Sequence, residues 1–346
     1  MPFTPSAQAD PGLSWAVLGT ANIAAKAFLP ALRAAGGHAE LVGSRDPDRA
    51  SGWAERHGVG AAVRYQDVLE DERIDAVYIA LPNDEHIRWA ARAAAAGKAV
   101  LCEKPLAIEA DEVATLTTTG QPLIWEAFVF PFHPQTDALR QLLADGAVAE
   151  VTELQSEFHF VLRDRGNLRF STEHGGGALF DVGCYPIRLA RLLFGTEPVQ
   201  AAGLASFDPA GTGEAIGLAG AGVDIELAAA LDFAAGSRLL LSAGFRRGPS
   251  TFTRVLGTGG ELRLSNPFHP TPADGIELWR DGRLVERWPA AAGTAFEHAI
   301  RHVQRAVAGV EPARHTVAAD GLAQARALAL ARAAISRQGE PAGAGS

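Results

Sequence analysis

Cysteine is nearly absent from this chain, with Cys102 and Cys184 the only two in 346 residues. That excludes a disulfide framework, and since nothing requires an oxidising compartment, a reducing cytoplasm is the expected location. Long apolar runs are missing as well. The alanine-rich stretch 93–96 is broken by Arg92 and Lys98, far short of the roughly 18 apolar residues that a membrane span needs. Excess positive charge is lacking too: 31 Lys and Arg against 40 Asp and Glu give −9, which argues against nucleic acid or an anionic membrane surface as the main partner. What remains is a chain with 47 % hydrophobic residues, enough to exclude disorder as its main state. At roughly 100 to 200 residues per domain its length predicts two domains. Residues 1–12 hold three prolines and no basic cluster before an apolar run; they read as a disordered lead-in, not a signal peptide.

From Leu13 the pattern changes. Residues 13–18 form an apolar run ending at Gly19, and 23–35 carry Ile23, Ala27, Leu32 and Ala35 at helical spacing. A second strand at 40–43 leads through the polar turn 44–47 to a helix at 48–57 closed by Gly58. A third strand at 76–81 stops at Pro82, a helix at 85–96 ends at Gly97, and a strand at 99–102 follows. Strands and helices alternating at this length predict an N-terminal α/β domain with a parallel, doubly wound sheet. After about Gly120 the texture shifts to strands of alternating polarity at 150–161, 225–233, 238–245 and 261–264, a large open, mostly antiparallel sheet in a C-terminal α+β domain. Helices are expected at 134–145, 177–194, 295–308 and 318–335, and a Gly-rich loop at 203–222.

The first turn, Gly19-Thr20-Ala21-Asn22-Ile23-Ala24, keeps the first glycine of a G-x-G-x-x-G fingerprint and has alanine at the other two positions. Gly19 permits the tight turn, small Ala21 lets backbone approach a pyrophosphate, and free N–H groups at the helix start attract the anion. Alone, this turn is also an ordinary strand–helix connection; its place as the first unit of a βα repeat makes it a dinucleotide turn. The end of the second strand selects the cofactor, because an acid there would bind the ribose 2′-hydroxyl and repel a 2′-phosphate. Here stand Ser44 and Arg45, with Arg49 one turn into the next helix, a set that suits a phosphate dianion and favours NADP, with NAD the alternative. The bland alternative is a solvated face in which Asp46 and Asp48 pair with the two arginines.

At Leu101-Cys102-Glu103-Lys104-Pro105 the signal becomes specific. Together with Val17-Leu18-Gly19-Thr20, Ile79-Ala80-Leu81-Pro82-Asn83 and the segment 175–185 (Gly-Gly-Gly-Ala-Leu-Phe-Asp-Val-Gly-Cys-Tyr), the chain resembles the glucose-fructose oxidoreductase/inositol dehydrogenase/rhizopine catabolism (Gfo/Idh/MocA) family of NAD(P)-dependent oxidoreductases. Glu126-Ala127-Phe128, Phe132-His133-Pro134-Gln135 and Tyr185 look most like its NADP-dependent aldose dehydrogenase and dihydrodiol dehydrogenase branch. Pro131 stands where relatives usually carry a basic residue, which leaves substrate preference open. The resemblance implies a Rossmann domain over 13–124 and a substrate-binding and oligomerisation domain over 125–317. It also implies a final helix at 318–337 packing back on the first domain, a tail at 338–346, and a homodimer or homotetramer formed through the C-terminal sheet. It implies Leu81, Pro82, Asn83, His86 and Glu103 on the cofactor side, and Asn167 and Arg169 facing a carbohydrate-like substrate.

Lys104, at the carboxyl end of a strand, lies where ligands bind in open α/β sheets, and Pro105 keeps it extended. Asp181 and Tyr185, four apart, share a helix face, and Pro186 should leave a carbonyl free beside them. A close ammonium lowers a tyrosine pKa by roughly one to three units, so Tyr185 is expected as a proton shuttle to a sugar oxygen, with Lys104 and Asp181 holding the substrate. His133, His174 and Trp125 are candidates for the cleft wall but are expected to be structural. His298 and His302 share a helix face as a surface pair without a third ligand, so no metal is expected. The two cysteines show no Cys/His triad spacing.

Overall fold

A computed structural model describes residues 12–117, 123–208 and 222–336. The expected lead-in, the boundary near Gly120 and the 338–346 tail lie outside them, except for Gly12. The first sheet has six parallel strands: β1 Ser14–Leu18, β2 His38–Ser44, β3 Ala61–Arg64, β4 Ala76–Ile79, β5 Ala99–Cys102 and β6 Ile124–Glu126, in the order 3-2-1-4-5-6. Its helices are α1 Leu29–Ala34, entered through a π-helical turn at Ala24–Phe28, then α2 Pro47–His57, α3 Tyr65–Glu70, α4 His86–Ala95 and α5 Ala110–Thr117.

Alternate residues of β1 face opposite layers. Trp15 and Val17 join a core with Phe28, Leu32 and Tyr78, and Ala16 and Leu18 join another with Val68, Trp89 and Ala93. Both faces are therefore dry, as apolar parallel strands require. In the first core Phe28 stacks on Tyr78 at 3.9 Å.

The rest of the chain adds α6 Pro134–Ala144 and α7 Cys184–Phe194, then α8 Ala295–Val307 and α9 Val317–Ser336. Its strands are β7 Val151–His159, β8 Pro198–Asp208, β9 Val223–Phe233, β10 Arg238–Gly244, β11 Thr253–Gly257, β12 Gly260–Leu264, β13 Gly275–Arg280 and β14 Arg283–Pro289. These eight make a second sheet in the order 14-13-12-11-7-10-9-8. Only β7 and β10 pair in parallel within it. One face packs on α7 and α9 through Leu154, Leu227, Leu241, Ile187 and Leu328.

Several details differ from the sequence pattern, among them the short strands β3 and β6, which it did not mark. Residues 203–208 of the loop expected at 203–222 continue β8, where Gly203 lets the sheet approach Ile335 of α9 closely, and 209–221 lie outside the described residues. Helix α8, expected with the second sheet, instead buries Phe296, Ile300 and Val303 in the core around Trp15 and Phe28. Strands β13 and β14 were not anticipated, although the Asp281–Gly282 turn between them, with φ +49° and +71°, is a strong hairpin signal. Helix α9 lies between α5 and β8, in contact with both layers.

Gly19 is the position on which the first turn depends. Its φ is +99° and a Cβ there would stand 2.5 Å from the Ala80 carbonyl oxygen. Gly97 has φ +80° but open space around it. Gly97→Ala should therefore cost about 1–2 kcal/mol for its left-handed backbone alone. Gly19→Ala should cost at least about 1 kcal/mol more, because the neighbouring strand must also move; urea unfolding of the two variants measures the difference.

Candidate active site

A cleft of about 710 Å³ opens between the carboxyl ends of β4 and β5 and the near end of the second sheet. Lys104 enters it directly after β5. Its ammonium lies 3.0 Å from Asp181 Oδ1 and donates a second, shorter bond to the Asp181 carbonyl oxygen. Arg169 Nε donates to the other carboxylate oxygen at 2.6 Å. Asp181 belongs to a π-helical turn, Leu179–Gly183, that runs into α7. Pro186, within α7, has no N–H to offer the preceding turn, and in that turn the Asp181 carbonyl accepts from Lys104. The Lys104 ammonium stands 5.1 Å from the centre of the Tyr185 ring. Lys104, Asp181, Tyr185, Asn167 and Arg169 thus line one cleft.

Charges here are strongly coupled. Burial acts to raise the Asp181 pKa, but Lys104 and Arg169 prevail and hold it down at about 2. Burial alone would make Lys104 less basic, and Asp181 and its other anionic neighbours reverse this, raising its pKa. Tyr185 corrects the expectation. Burial raises its phenol pKa well above the ordinary value, and the lowering by Lys104 only partly offsets that. The ring is 6 % exposed, packed edge-on against Phe128 at 5.5 Å and beside Phe158. Tyr185 therefore carries its proton at neutral pH.

The turn after β1 borders the same cleft. Ala21, Asn22 and Ile23 line the cleft at the helix start, with Leu81, Pro82 and Asn83 opposite. Gly19 and Thr20 form the turn itself, and the Gly19 N–H donates to the Gly43 carbonyl. At the end of β2 the Asp46 carboxylate caps α2 by accepting from the Arg49 N–H at 3.1 Å, and the Ser44 hydroxyl accepts from the Asp46 N–H at 3.1 Å. Arg45 and Arg49 are exposed, and neither guanidinium has a carboxylate partner among the described residues. The solvated pairing with Asp46 and Asp48 is thus not present. Glu103 accepts from the Tyr78 hydroxyl at 2.5 Å, and burial raises its pKa. His86 is fully buried with its ring nitrogens against the carbonyls of Pro105 and Leu81. It braces the cleft floor and has no ring nitrogen left for a ligand. Asn83 donates to the Gly175 carbonyl at 2.9 Å, tying the cofactor side to the glycine-rich turn.

His174 lines the cleft and meets Asp84 at 3.0 Å. His133 and Trp125 do not: His133 caps α6 through Nδ1, and the Trp125 N–H donates to the Arg314 carbonyl. His302, expected at the surface, is buried and bonded to Glu311 and to the Arg314 N–H. Among the described residues no cluster of three or more His, Cys, Asp or Glu could hold a metal ion. Both thiols are buried, and burial raises their pKa. Sequence reasoning missed Phe158, Phe160 and His269 on the cleft wall and the buried carboxylate Asp224, and it marked Glu126 only as part of a family motif, without a role. The alternation of β7 could have found Phe158 and Phe160; nothing local marks the others.

A family model described as "Oxidoreductase family, NAD-binding Rossmann fold" matches residues 13–121, and the C-terminal domain model of that family, GFO/IDH/MocA, matches residues 136–263. The chain is 36 % identical to D-xylose 1-dehydrogenase (NADP(+)) 2 of Haloferax volcanii, over 79 % of this chain and 82 % of that one. It is 34 % identical to dTDP-3,4-didehydro-2,6-dideoxy-alpha-D-glucose 3-reductase of Streptomyces violaceoruber, over 82 % and 84 %. Among solved structures, KijD10, a 3-ketoreductase from Actinomadura kijaniata in complex with NADP and TDP-benzene, superposes with a TM-score of 0.82 at 30 % identity, over 94 % and 98 %. No helix among the described residues is long and apolar enough to cross a membrane.

Glu126 supports the segment that follows Lys104. Its Oε1 accepts from the Leu106 N–H at 2.8 Å, and burial lifts its pKa to about 7. A carboxyl with a raised folded pKa binds its proton more tightly in the folded state. Its contribution is therefore full below the ordinary carboxyl range and is lost as pH rises towards 7. Glu126→Gln keeps the acceptor and removes the titration. Relative to the parent it should gain about 2–3 kcal/mol in urea unfolding at pH 8 and little at pH 4.

Proposed function

Because the chain belongs to the GFO/IDH/MocA oxidoreductase family, we propose that it is an NADP(H)-dependent dehydrogenase or reductase acting on a hydroxyl/carbonyl pair of a sugar or polyol. The observation that carries this reading is the convergence of Lys104, Asp181 and Tyr185 in one cleft beside the dinucleotide turn. Relatives named for NADP(+) and solved with NADP support the cofactor.

The residues present fit that cofactor. The Gly19 turn closes on Ala80 so tightly that a side chain would fill the approach. The helix start at Asn22 and Ile23 offers N–H groups to a pyrophosphate, and Leu81, Pro82, Asn83 and Glu103 line the facing wall. Ser44, Arg45 and Arg49 present a hydroxyl and two unpaired guanidinium groups where a 2′-phosphate would sit. When bound, the nicotinamide donates or accepts the hydride.

Lys104 holds the substrate oxygen, with its own ammonium fixed by Asp181. Tyr185, protonated at neutral pH, donates to the oxygen as a carbonyl is reduced and takes the proton back in oxidation. Arg169 and Asn167 stand at the substrate rim. Lys104 and Arg169 share the single Asp181 carboxylate, and Asp164 adds a second acid to the wall that offsets the second cation, so the substrate half favours a neutral polyol. Phe158 and Phe160 supply apolar surface for a sugar ring. A second reading is reduction of a nucleotide-linked sugar, which draws on the likeness to the 3-ketoreductase, or oxidation of a trans-dihydrodiol, which draws on the likeness to trans-1,2-dihydrobenzene-1,2-diol dehydrogenase.

A homodimer or homotetramer formed through the second sheet is part of the proposal. On its outer face Leu240, Ala230 and Ala202 lie side by side across three strands, next to Leu204, which is 61 % exposed. Buried free thiols fit a reducing compartment such as the cytoplasm.

An absorbance screen at the reduced-nicotinamide band, in both directions, should show turnover with one of aldoses, ketoses, nucleotide-linked sugars or dihydrodiols. Silence throughout would favour a cofactor-binding sensor without turnover. Tyr185→Phe should lower kcat by roughly 10²- to 10⁴-fold with NADPH binding retained; unchanged turnover would refute the proton relay. In a fluorescence titration NADPH should bind more tightly than NADH, and Arg45→Ala should narrow the gap.

A further inference from the structure

The turn that carries Asp181 begins against a buried acid. Gly177 has φ +114°, and a Cβ there would collide with Asp224 Oδ1. The Leu179 N–H donates to Asp224 Oδ2 at 2.6 Å, and the Ala178 N–H donates to the same carboxylate. Asp224 lies on β9, is 9 % exposed, and forms no ion pair among the described residues.

Burying a carboxylate without a cation is unfavourable unless its hydrogen bonds compensate. Here two of them come from the first N–H groups of one turn, where the helix dipole also favours a negative charge, and a third comes from its own backbone N–H. Three residues beyond the Ala178 N–H, Asp181 uses both its carbonyl and its carboxylate to hold Lys104. The Asp181 N–H in turn donates to the Gly177 carbonyl at 3.0 Å. A shift of Ala178 would therefore move both oxygens that fix the ammonium.

We propose that Asp224 is a positioning residue: it anchors the backbone at Ala178 and Leu179 so that Asp181 meets Lys104 and Tyr185 stands beside them, and Gly177 is glycine to admit it. The kinetic consequence rests on the proton-relay reading; the structural one does not.

The test compares parent, Asp224→Ala, Asp224→Asn and Tyr185→Phe by amide hydrogen exchange, NADPH titration and steady-state kinetics. Asp224→Ala should speed exchange across 178–185 by roughly tenfold and lower kcat to a similar extent, while exchange in β1 and NADPH affinity stay parent-like. Asp224→Asn, which keeps one acceptor oxygen, should recover most of both losses. Folded Asp224→Ala with parent-like exchange at 178–185 overturns the proposal. So does equal damage in the alanine and asparagine variants. If Asp224→Ala does not fold, Gly177→Ala serves instead, since it displaces the carboxylate without removing it; parent-like exchange there overturns the proposal equally. Tyr185→Phe separates the two readings, because it should abolish turnover and leave exchange unchanged. If the parent turns over no substrate, the relay reading fails and the exchange data alone decide the role of Asp224.

Discussion

The contact between Lys104 and Asp181 joins the two halves of this molecule. Lys104 stands at the exit of β5 in the parallel sheet, and Asp181 lies on a turn packed against the second sheet. The side chains are only 10 % and 12 % exposed, so neither charge would be stable in that place without the other. Because the ammonium takes a backbone carbonyl as well as a carboxylate oxygen, its position depends on the conformation of a main-chain turn. That turn is π-helical and is followed by a proline that cannot supply an N–H. Arg169 closes the remaining carboxylate oxygen, which leaves Asp181 saturated and the Lys104 ammonium fixed in a cleft wall.

This pairing also decides what Tyr185 can do. A free ammonium next to a phenol would pull its proton off; here burial among Phe128, Phe158 and Phe268 opposes that effect and prevails. The result is a tyrosine that keeps its proton at neutral pH while lying beside a cation, an arrangement suited to donation towards a developing alkoxide. On the opposite wall, local charge follows the same logic in reverse. Arg45 and Arg49 are exposed with no carboxylate partner among the described residues, while the Asp46 carboxylate caps α2.

Much of the architecture was legible because its causes are local. Apolar runs ended by Gly19, Gly58, Pro82 and Gly97 mark the parallel sheet, and alternating polarity marks β7, β9 and β10. The short strands β3 and β6 and the hairpin of β13 and β14 escaped, since three- to seven-residue segments offer little periodicity. Residues 203–208 misled because glycine and alanine there look like loop, whereas they allow close packing on α9. Helix α8 could not be placed at all from sequence, since its apolar face does not say which sheet it will cover. In the site, Lys104, Asp181 and Tyr185 were legible through motifs. Asp224 was not, and Glu126 was legible as part of a motif but not in its role, because each acts through backbone groups distant in sequence: Leu179 for one, Leu106 for the other. The direction of the Tyr185 shift was misjudged for a related reason: sequence shows the neighbouring cation but not the depth of burial.

The most direct test of this account is the pH dependence of kcat for the parent and for Lys104→Met, followed in the reductive direction, where Tyr185 acts as the acid. Lys104 opposes the upward shift of the Tyr185 pKa, so removing it should move the basic limb of the profile to higher pH by roughly one to three units while lowering the maximum. A basic limb at the same pH in both proteins would contradict the coupling of Lys104 to Tyr185 on which the account depends.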